Sequence, residues 1–202
     1  MNLPNKISIA RILLIPLVIF FYLADFIPWG KFIAGVIFII ACCTDFIDGH
    51  IARSRNLVTN LGKFLDPIAD KVLVMSSLFL LVAWPVLGKT IMWPNYVSIV
   101  CAIIIMAREL IISSFRQIAA TKNVVLAADV YGKVKTIFQD ITLVLYFIYA
   151  FLVAEFNSAI AGVPNTVISI VCLVMLVIST ILTIISGVNY VVKNKKVLQD
   201  EN

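Results

Sequence analysis

The feature of this chain best suited to chemistry is a group of four aspartates in one short window. Asp45 and Asp48 lie three residues apart, and Asp66 and Asp70 lie four apart, each pair at the end of an apolar segment. These spacings put each pair on one face of a helix. The chain has only 11 acidic residues, and a carboxylate at membrane depth costs enough free energy to indicate a function. One such aspartate could be a helix cap or an ion-pair partner, but four together predict a shared site.

The chemistry expected of four converging carboxylates is the binding of divalent metal ions. Carboxylates held close together need a compensating charge. Mg²⁺ and Mn²⁺ prefer carboxylate oxygens, and two such ions suit displacement at phosphorus. Gly49 and Gly62 let a ligand or a helix approach the backbone closely, and Arg53 is placed to meet a phosphate or a carboxylate. The link between the two apolar segments is short, so the carboxylates are predicted to converge on one cavity that holds Mg²⁺ or Mn²⁺.

The elements that must position these residues are membrane helices. The chain of 202 residues is 62% hydrophobic and 13% charged, with a mean hydropathy of +1.06. One soluble core of this size could not hide so much apolar surface, which argues against a soluble domain, a disordered chain, a disulfide scaffold and a soluble nucleic-acid binder. The sequence predicts an all-α integral membrane protein, a single domain over residues 1–202. Its six transmembrane helices are predicted at about 7–24, 31–49, 66–84, 95–117, 134–154 and 164–190.

The distribution of Lys and Arg predicts the orientation of these helices. With six spans, all of the 16 Lys and Arg residues except Lys31 and Lys89 fall on one side of the membrane. The positive-inside rule makes that side cytoplasmic, with both termini there and the polar cavity open to it. The same asymmetry explains the net charge of +5 without a nucleic-acid partner. The N-terminal run lacks the marks of a signal or transit peptide, which favours the bacterial cytoplasmic membrane.

Residues 45–70 together resemble a known family signature. The segment DFIDGHIARSRNLVTNLGKFLDPIAD has the pattern Asp-x2-Asp-Gly-x2-Ala-Arg-x8-Gly-x3-Asp-x3-Asp of the CDP-alcohol phosphatidyltransferases, with every specified position occupied. The similarity extends over nearly the whole chain. NLPNKISIAR near the start, LVTNLGKFLDPIADK, MAREL at 106–110 and YGKVKT at 131–136 resemble the members that make phosphatidylglycerophosphate.

This resemblance implies a six-helix, homodimeric membrane enzyme that transfers a phosphatidyl group from CDP-diacylglycerol to sn-glycerol 3-phosphate and releases CMP. It implies a site for two Mg²⁺ or Mn²⁺ ions. Asp70 would also act as general base, because a primary hydroxyl is a poor nucleophile at neutral pH. The metal ligands implied are Asp45, Asp48, Asp66 and Asp70. The CDP pocket implied consists of Asn5, Asp48, Gly49, Ala52, Arg53 and Gly62, with Arg11 as a further candidate. Asn5 could equally be a helix cap, and Arg11 could equally extend along the lipid-facing surface to the membrane interface.

The acceptor of this reaction carries a phosphate, so fixed positive charge is expected near the metals. The candidates lie at the predicted cytoplasmic ends of helices four and five: Arg108, Arg116, Lys133 and Lys135. The positive-inside rule alone would also place cations there, so this interpretation stays open. Glu109 or Asp140 is expected to orient one of these cations.

Three other functions remain open at this point. An enzyme with the same donor and another acceptor, such as serine, inositol phosphate or phosphatidylglycerol, would use the same aspartates. A membrane prenyltransferase also acts on a diphosphate, but through two separated aspartate motifs and generally more helices. A divalent-cation transporter would distribute acidic residues through the depth of the membrane, whereas the four aspartates here cluster near one surface.

Overall fold

The computed structural model describes residues 3–54, 60–83, 96–121, 130–156 and 163–195; within these ranges, the side chains of 3–5, 45–54, 60–64, 66, 120–121 and 163–164 are outside the description. The described chain is helical apart from short connections, which confirms the predicted all-α class. Its six helices are α1 (Leu3–Leu23), α2 (Gly30–Ser54), α3 (Asn60–Ala83), α4 (Tyr96–Thr121), α5 (Val130–Phe156) and α6 (Val163–Lys193).

Each predicted apolar run lies on one of the helices in the described ranges, in the predicted order, and these helices extend beyond the runs at their polar ends. The sequence predicted spans over about 31–49 and 66–84, whereas α2 continues to Ser54 and α3 begins at Asn60. Hydropathy marks only the apolar part of a helix. Good helix formers such as Ala52 and Leu61 continue the helix where the sequence turns polar. The aspartate motif therefore lies almost wholly on helical backbone.

Four of the helices are long and apolar enough to cross a membrane, judged by length and composition. These candidate spans are Lys6–Leu23, Tyr96–Ala119, Val130–Phe156 and Asn165–Lys193. In α2 the apolar part is shorter, Gly30–Thr44, because the charged motif follows it. Large apolar side chains such as Leu13, Ile103 and Ile137 remain exposed on the bundle, as expected of a multi-pass membrane protein. Six spans and the sidedness of the termini stay predictions.

The six helices form a closed ring. Going around it, α1 packs on α2, α2 on α5, α5 on α6, α6 on α4, α4 on α3, and α3 again on α1. The main core lies inside this ring and includes Phe38, Leu78, Leu81 and Phe147. Side-chain contacts join the N-terminal halves of α3 and α5 to the C-terminal halves of α4 and α6. We call the end of the bundle where these halves meet, together with the motif on α2 and α3, the motif end.

Polar contacts also tie the helices together at the opposite end of the ring. The Tyr22 hydroxyl of α1 donates to the Tyr146 hydroxyl of α5 at 3.0 Å. Lys31, which is 8% exposed, pairs with Asp25 at 2.6 Å. The backbone amide of Trp29 donates to a carboxylate oxygen of Glu155 at 2.9 Å. Trp29 has a φ of 63°, in the left-handed region. These contacts hold the α1–α2 turn against α1 and α5.

A substitution of Gly30 in this turn, Gly30→Ala, is expected to destabilise the bundle. A Cβ at this position would lie 2.6 Å from the Phe21 carbonyl oxygen, which belongs to rigid helical backbone. Such overpacking costs about 1–3 kcal/mol, or a fall of about 3–10 °C in the thermal midpoint of a protein of this size. Thermal unfolding of the detergent-purified protein measures this shift.

Gly132→Ala is the matched control. Its Cβ would meet nothing nearer than the Ser186 hydroxyl at 3.9 Å, and Ala favours a helix over Gly. This variant should unfold at or above the wild-type temperature. Equal midpoints for the two variants would contradict the close approach at Gly30.

Candidate active site

The helices carry the predicted donor and metal residues to the motif end. Asp45 and Asp48 lie one turn apart on α2, Asp66 and Asp70 one turn apart on α3, and α2 packs against α3. Of these four, only the Asp70 side chain falls within the described part, and it is half-buried. The roles predicted for the following residues concern side chains outside the described part and stay predictions: Asn5, Asp45, Asp48, Gly49, Ala52, Arg53, Gly62 and Asp66.

The chemistry of these four side chains suits a divalent cation. All four groups are carboxylates, the preferred ligands of Mg²⁺ and Mn²⁺. Two unbroken helices in mutual contact keep the spacing that brings each pair to one face. The four aspartates of the motif could therefore hold a divalent metal, and their role as its ligands stays a prediction.

Next to Asp70, Lys71 bridges α3 and α4. The Lys71 ammonium donates to the Ser113 hydroxyl of α4. It also lies within electrostatic range of Asp70, Glu109 and Arg116. Adjacent residues on a helix point about 100° apart. The Asp70 carboxylate and the Lys71 ammonium therefore leave α3 in neighbouring directions at the motif end.

Glu109 is the carboxylate that joins α4 to α5. Its Oε1 accepts a hydrogen bond from the Lys135 ammonium and lies 3.5 Å from an Arg108 terminal nitrogen. The Lys135 side chain is only 2% exposed, and Asp70 is within its electrostatic range. A charge removed from water to this degree needs a partner, and Glu109 supplies one. The sequence-based hypothesis that Glu109 orients a cation is thus matched by a direct contact.

Two arginines of α4 are held by α6. The Nη2 of Arg108 donates to the Ser186 hydroxyl at 2.8 Å, and the Nε of Arg116 donates to the Tyr190 hydroxyl at 3.2 Å. The Nε of Arg108 is buried and has no acceptor among the residues the structure describes. The described protein groups therefore satisfy the Arg108 guanidinium only in part.

The structure brings together three of the four cations predicted to bind the acceptor. Arg108 and Lys135 lie inside the bundle, and Arg116 lies at its rim with an exposed side chain. Lys133 is exposed and makes no contact with this group among the described residues. Residues two apart on a helix point about 200° apart, so Lys133 and Lys135 leave α5 on different sides, and the role predicted for Lys133 stays a prediction.

Arg11, proposed as a further pocket residue, is completely buried on α1, as is Ser8 one turn before it. Arg11 therefore points into the bundle rather than along its lipid-facing surface. Its position near the start of α1 places it in the half of that helix nearest the motif end.

Several polar contacts of this site were missed from the sequence. Lys71, Ser113, Ser186 and Tyr190 all contribute to it. One signal was available for the last two, because they lie four residues apart on an otherwise apolar segment. Spacing alone could not have shown which helix they face.

Positive charge outweighs negative charge among the described side chains of this site. Lys71, Arg108, Arg116 and Lys135 face the carboxylates of Asp70 and Glu109. The excess suits a dianionic phosphomonoester, and guanidinium groups bind phosphate with directed pairs of hydrogen bonds.

Comparison with known proteins identifies the family. The family model described as CDP-alcohol phosphatidyltransferase matches residues 1–193. A protein named CDP-diacylglycerol–glycerol-3-phosphate 3-phosphatidyltransferase from Bacillus subtilis (strain 168) is 35% identical over 213 residues, covering 100% of this chain and 99% of its own. The protein of that name from Rickettsia bellii (strain RML369-C) is 34% identical over 196 residues, 96% of each chain. The chain belongs to the CDP-alcohol phosphatidyltransferase family.

Proposed function

We propose that this protein transfers the phosphatidyl group of CDP-diacylglycerol to sn-glycerol 3-phosphate, giving phosphatidylglycerophosphate and CMP. The observation that carries the proposal is the full-length similarity to relatives named for this reaction. The cation-rich group next to Asp70 supports the same acceptor, because it suits a substrate that brings its own phosphate.

The donor side of the reaction is assigned to the motif on α2 and α3. Asp48, Gly49, Ala52, Arg53 and Gly62 would form the CDP pocket, completed by Asn5 of α1. Asp45, Asp48, Asp66 and Asp70 would hold two Mg²⁺ or Mn²⁺ ions. When bound, these ions would neutralise the diphosphate and the departing CMP.

Asp70 is assigned the role of general base. Its carboxylate takes the proton of the acceptor's primary hydroxyl as the hydroxyl oxygen forms a bond to the phosphorus that bears the diacylglycerol. The bond from this phosphorus to the CMP oxygen breaks, and CMP leaves with that electron pair. The half-buried position of Asp70, next to Lys71 in the chain, supports this role, because the base must reach both the donor and the acceptor.

The acceptor phosphate is assigned to Arg108, Arg116 and Lys135, with Lys71 as an additional cation. Arg108 keeps a donor that no described residue accepts, and Lys135 is held by Glu109 at the inner end of the group. Charge-assisted hydrogen bonds to these groups would fix the phosphate. The acceptor's hydroxyl would then be directed towards Asp70.

The same proposal places the protein in a membrane with six spans. The motif end would face the cytoplasm of a bacterium, where CDP-diacylglycerol headgroups and glycerol 3-phosphate are both accessible, and two copies would form a homodimer. The asymmetric placement of Lys and Arg supports this orientation.

An acceptor panel tests the proposed function. The detergent-purified protein is given CDP-diacylglycerol with glycerol 3-phosphate, glycerol, serine, inositol phosphate or phosphatidylglycerol, and CMP release is followed with and without Mg²⁺ or Mn²⁺. We expect metal-dependent release with glycerol 3-phosphate. The kcat/KM for glycerol should be lower by about 100-fold, since glycerol cannot make the charge-assisted hydrogen bonds.

Two other results of the acceptor panel would contradict the proposed function in different ways. Metal-dependent release only with serine, inositol phosphate or phosphatidylglycerol would overturn the acceptor and keep the family chemistry. No release with any alcohol, from folded protein supplied with metal, would overturn phosphatidyl transfer itself.

A further inference from the structure

Helix α6 carries a line of buried polar side chains on a largely apolar segment. Ser179, Thr183, Ser186 and Tyr190 recur at four, three and four residues, and each is at most 2% exposed. The Thr183 hydroxyl donates to the Ser179 carbonyl of its own helix at 2.7 Å. Ser186 and Tyr190 instead accept hydrogen bonds from Arg108 and Arg116 of α4. The last part of this line is therefore directed at another helix.

Gly187 lets Arg108 lie directly against α6. A Cβ at Gly187 would stand 3.0 Å from the Cγ of Arg108 and 3.6 Å from its Nε. The aliphatic part of the arginine thus occupies the space that a side chain would fill. This contact carries the guanidinium to Ser186 on one side and towards Glu109 on the other.

Tyr190 holds Arg116 in two ways. The Arg116 Cζ lies 5.3 Å from the centre of the Tyr190 ring, close enough for a cation–π contact. The Tyr190 hydroxyl accepts the Arg116 Nε hydrogen bond. The ring itself packs edge-to-face on Phe115 at 6.0 Å, so it cannot turn without disturbing the small cluster of Ile112, Phe115 and Tyr190.

We propose that Ser186, Gly187 and Tyr190, here called the α6 saddle, position Arg108 and Arg116 for the phosphate of the acceptor and so set its chemical class, a phosphomonoester. The inference rests on the proposed function. Arginine has a long flexible side chain, and ordering it during binding would cost affinity. Fixing both guanidinium groups beforehand avoids that cost and leaves their other N–H donors for the ligand. The members of the saddle are positioning residues, since they act through the arginines.

The first test compares Ser186→Ala and Tyr190→Phe with the wild type in the CMP-release assay. Each change removes one hydroxyl that accepts a hydrogen bond from an arginine. We expect the KM for glycerol 3-phosphate to rise roughly tenfold, as for loss of a charge-assisted hydrogen bond. The KM for CDP-diacylglycerol and the kcat at saturating acceptor should change by less than about twofold, since neither depends on the saddle.

Matched controls separate positioning from fold stability. Ser179→Ala removes a buried hydroxyl that has no partner within the described part of the chain, on the same helix. Tyr149→Phe removes a buried tyrosine hydroxyl that donates to Asn165 at 2.8 Å, near the start of α6. Both controls should keep the wild-type KM for glycerol 3-phosphate.

Gly187→Ala provides a result that a purely structural role would not produce. The new methyl group would displace the flexible Arg108 stem, while Ala stabilises a helix relative to Gly. We expect the KM for glycerol 3-phosphate to rise about fivefold or more with no fall in the thermal midpoint. Methyl phosphate has the phosphate but no hydroxyl to react. Its inhibition constant as a competitor should rise in parallel with that KM in all three variants.

The outcomes distinguish this inference from the proposed function. If the wild type does not use glycerol 3-phosphate, the proposed function fails and the α6 assignment with it. If the wild type does use it, while the saddle variants keep its KM or lose affinity for both substrates equally, the α6 assignment alone is overturned. A raised KM without a parallel change for methyl phosphate would also overturn it, because the saddle would then not act on phosphate binding.

Discussion

Replacing Asp70 by Asn is expected to lower kcat for CMP release by about 1,000-fold or more, with the protein still folded. Removal of a general base costs about 10²–10⁴-fold, and the same substitution removes an assigned metal ligand. Asn is nearly isosteric with Asp, so the packing of α3 next to the buried Ala69 should be preserved. The expected fall in kcat therefore reflects the loss of the base and metal ligand rather than a change in the fold.

The measurement is CMP release from CDP-diacylglycerol at saturating glycerol 3-phosphate, with Mg²⁺ or Mn²⁺ varied over a wide range. Glu155→Gln is the control, since it also neutralises one acidic residue but lies at the opposite end of the bundle, where it accepts the Trp29 amide. This control should keep wild-type kcat. An Asp70→Asn variant with a kcat within tenfold of wild type at saturating metal would remove Asp70 from the role of base. If the variant recovered its kcat only at high metal concentration, Asp70 would be a metal ligand and not the base.

The order and approximate position of the described helices could be predicted because each contains an apolar run whose length is close to the thickness of a bilayer. Their polar ends could not, because hydropathy falls at Asp45 and Asp66 while the helix continues through both. The aspartate motif was recognisable because its positions are local in sequence and follow the helical repeat.

The arrangement of the cations proposed to bind the acceptor was less predictable, because it depends on packing between distant helices. Arg108 and Ser186 are 78 residues apart in the chain, and nothing near either residue indicates the other. Lys133 and Lys135 are equivalent in the sequence, and only the packing of α5 against its neighbours makes Lys135 the buried one. Glu109 was a correct candidate for a cation partner because an acidic residue in an apolar helix requires one.

Replacing the buried lysine of α5, Lys135→Met, is expected to lower kcat/KM for glycerol 3-phosphate by about 10- to 150-fold. This range corresponds to a charge-assisted hydrogen bond of about 1.5–3 kcal/mol to the acceptor phosphate. The KM for CDP-diacylglycerol should change little. Lys133→Met is the matched control, two residues earlier on the same helix and exposed, and it should retain wild-type kinetics.

The Glu109 partner allows a second test of the same lysine, because the two residues can be removed singly and together. Glu109→Gln leaves the Lys135 ammonium buried without its carboxylate, which should cost about 3–5 kcal/mol of stability and be visible as a lower thermal midpoint. In the double variant Glu109→Gln with Lys135→Met, the buried ammonium is removed together with its carboxylate, and only the longer 3.5 Å contact from Arg108 is lost. The midpoint should therefore recover in large part while the KM for glycerol 3-phosphate stays high. If the double variant regained wild-type KM together with its stability, Lys135 would be only the partner of Glu109. Persistent loss of acceptor affinity in a restored fold would instead assign its charge to the phosphate.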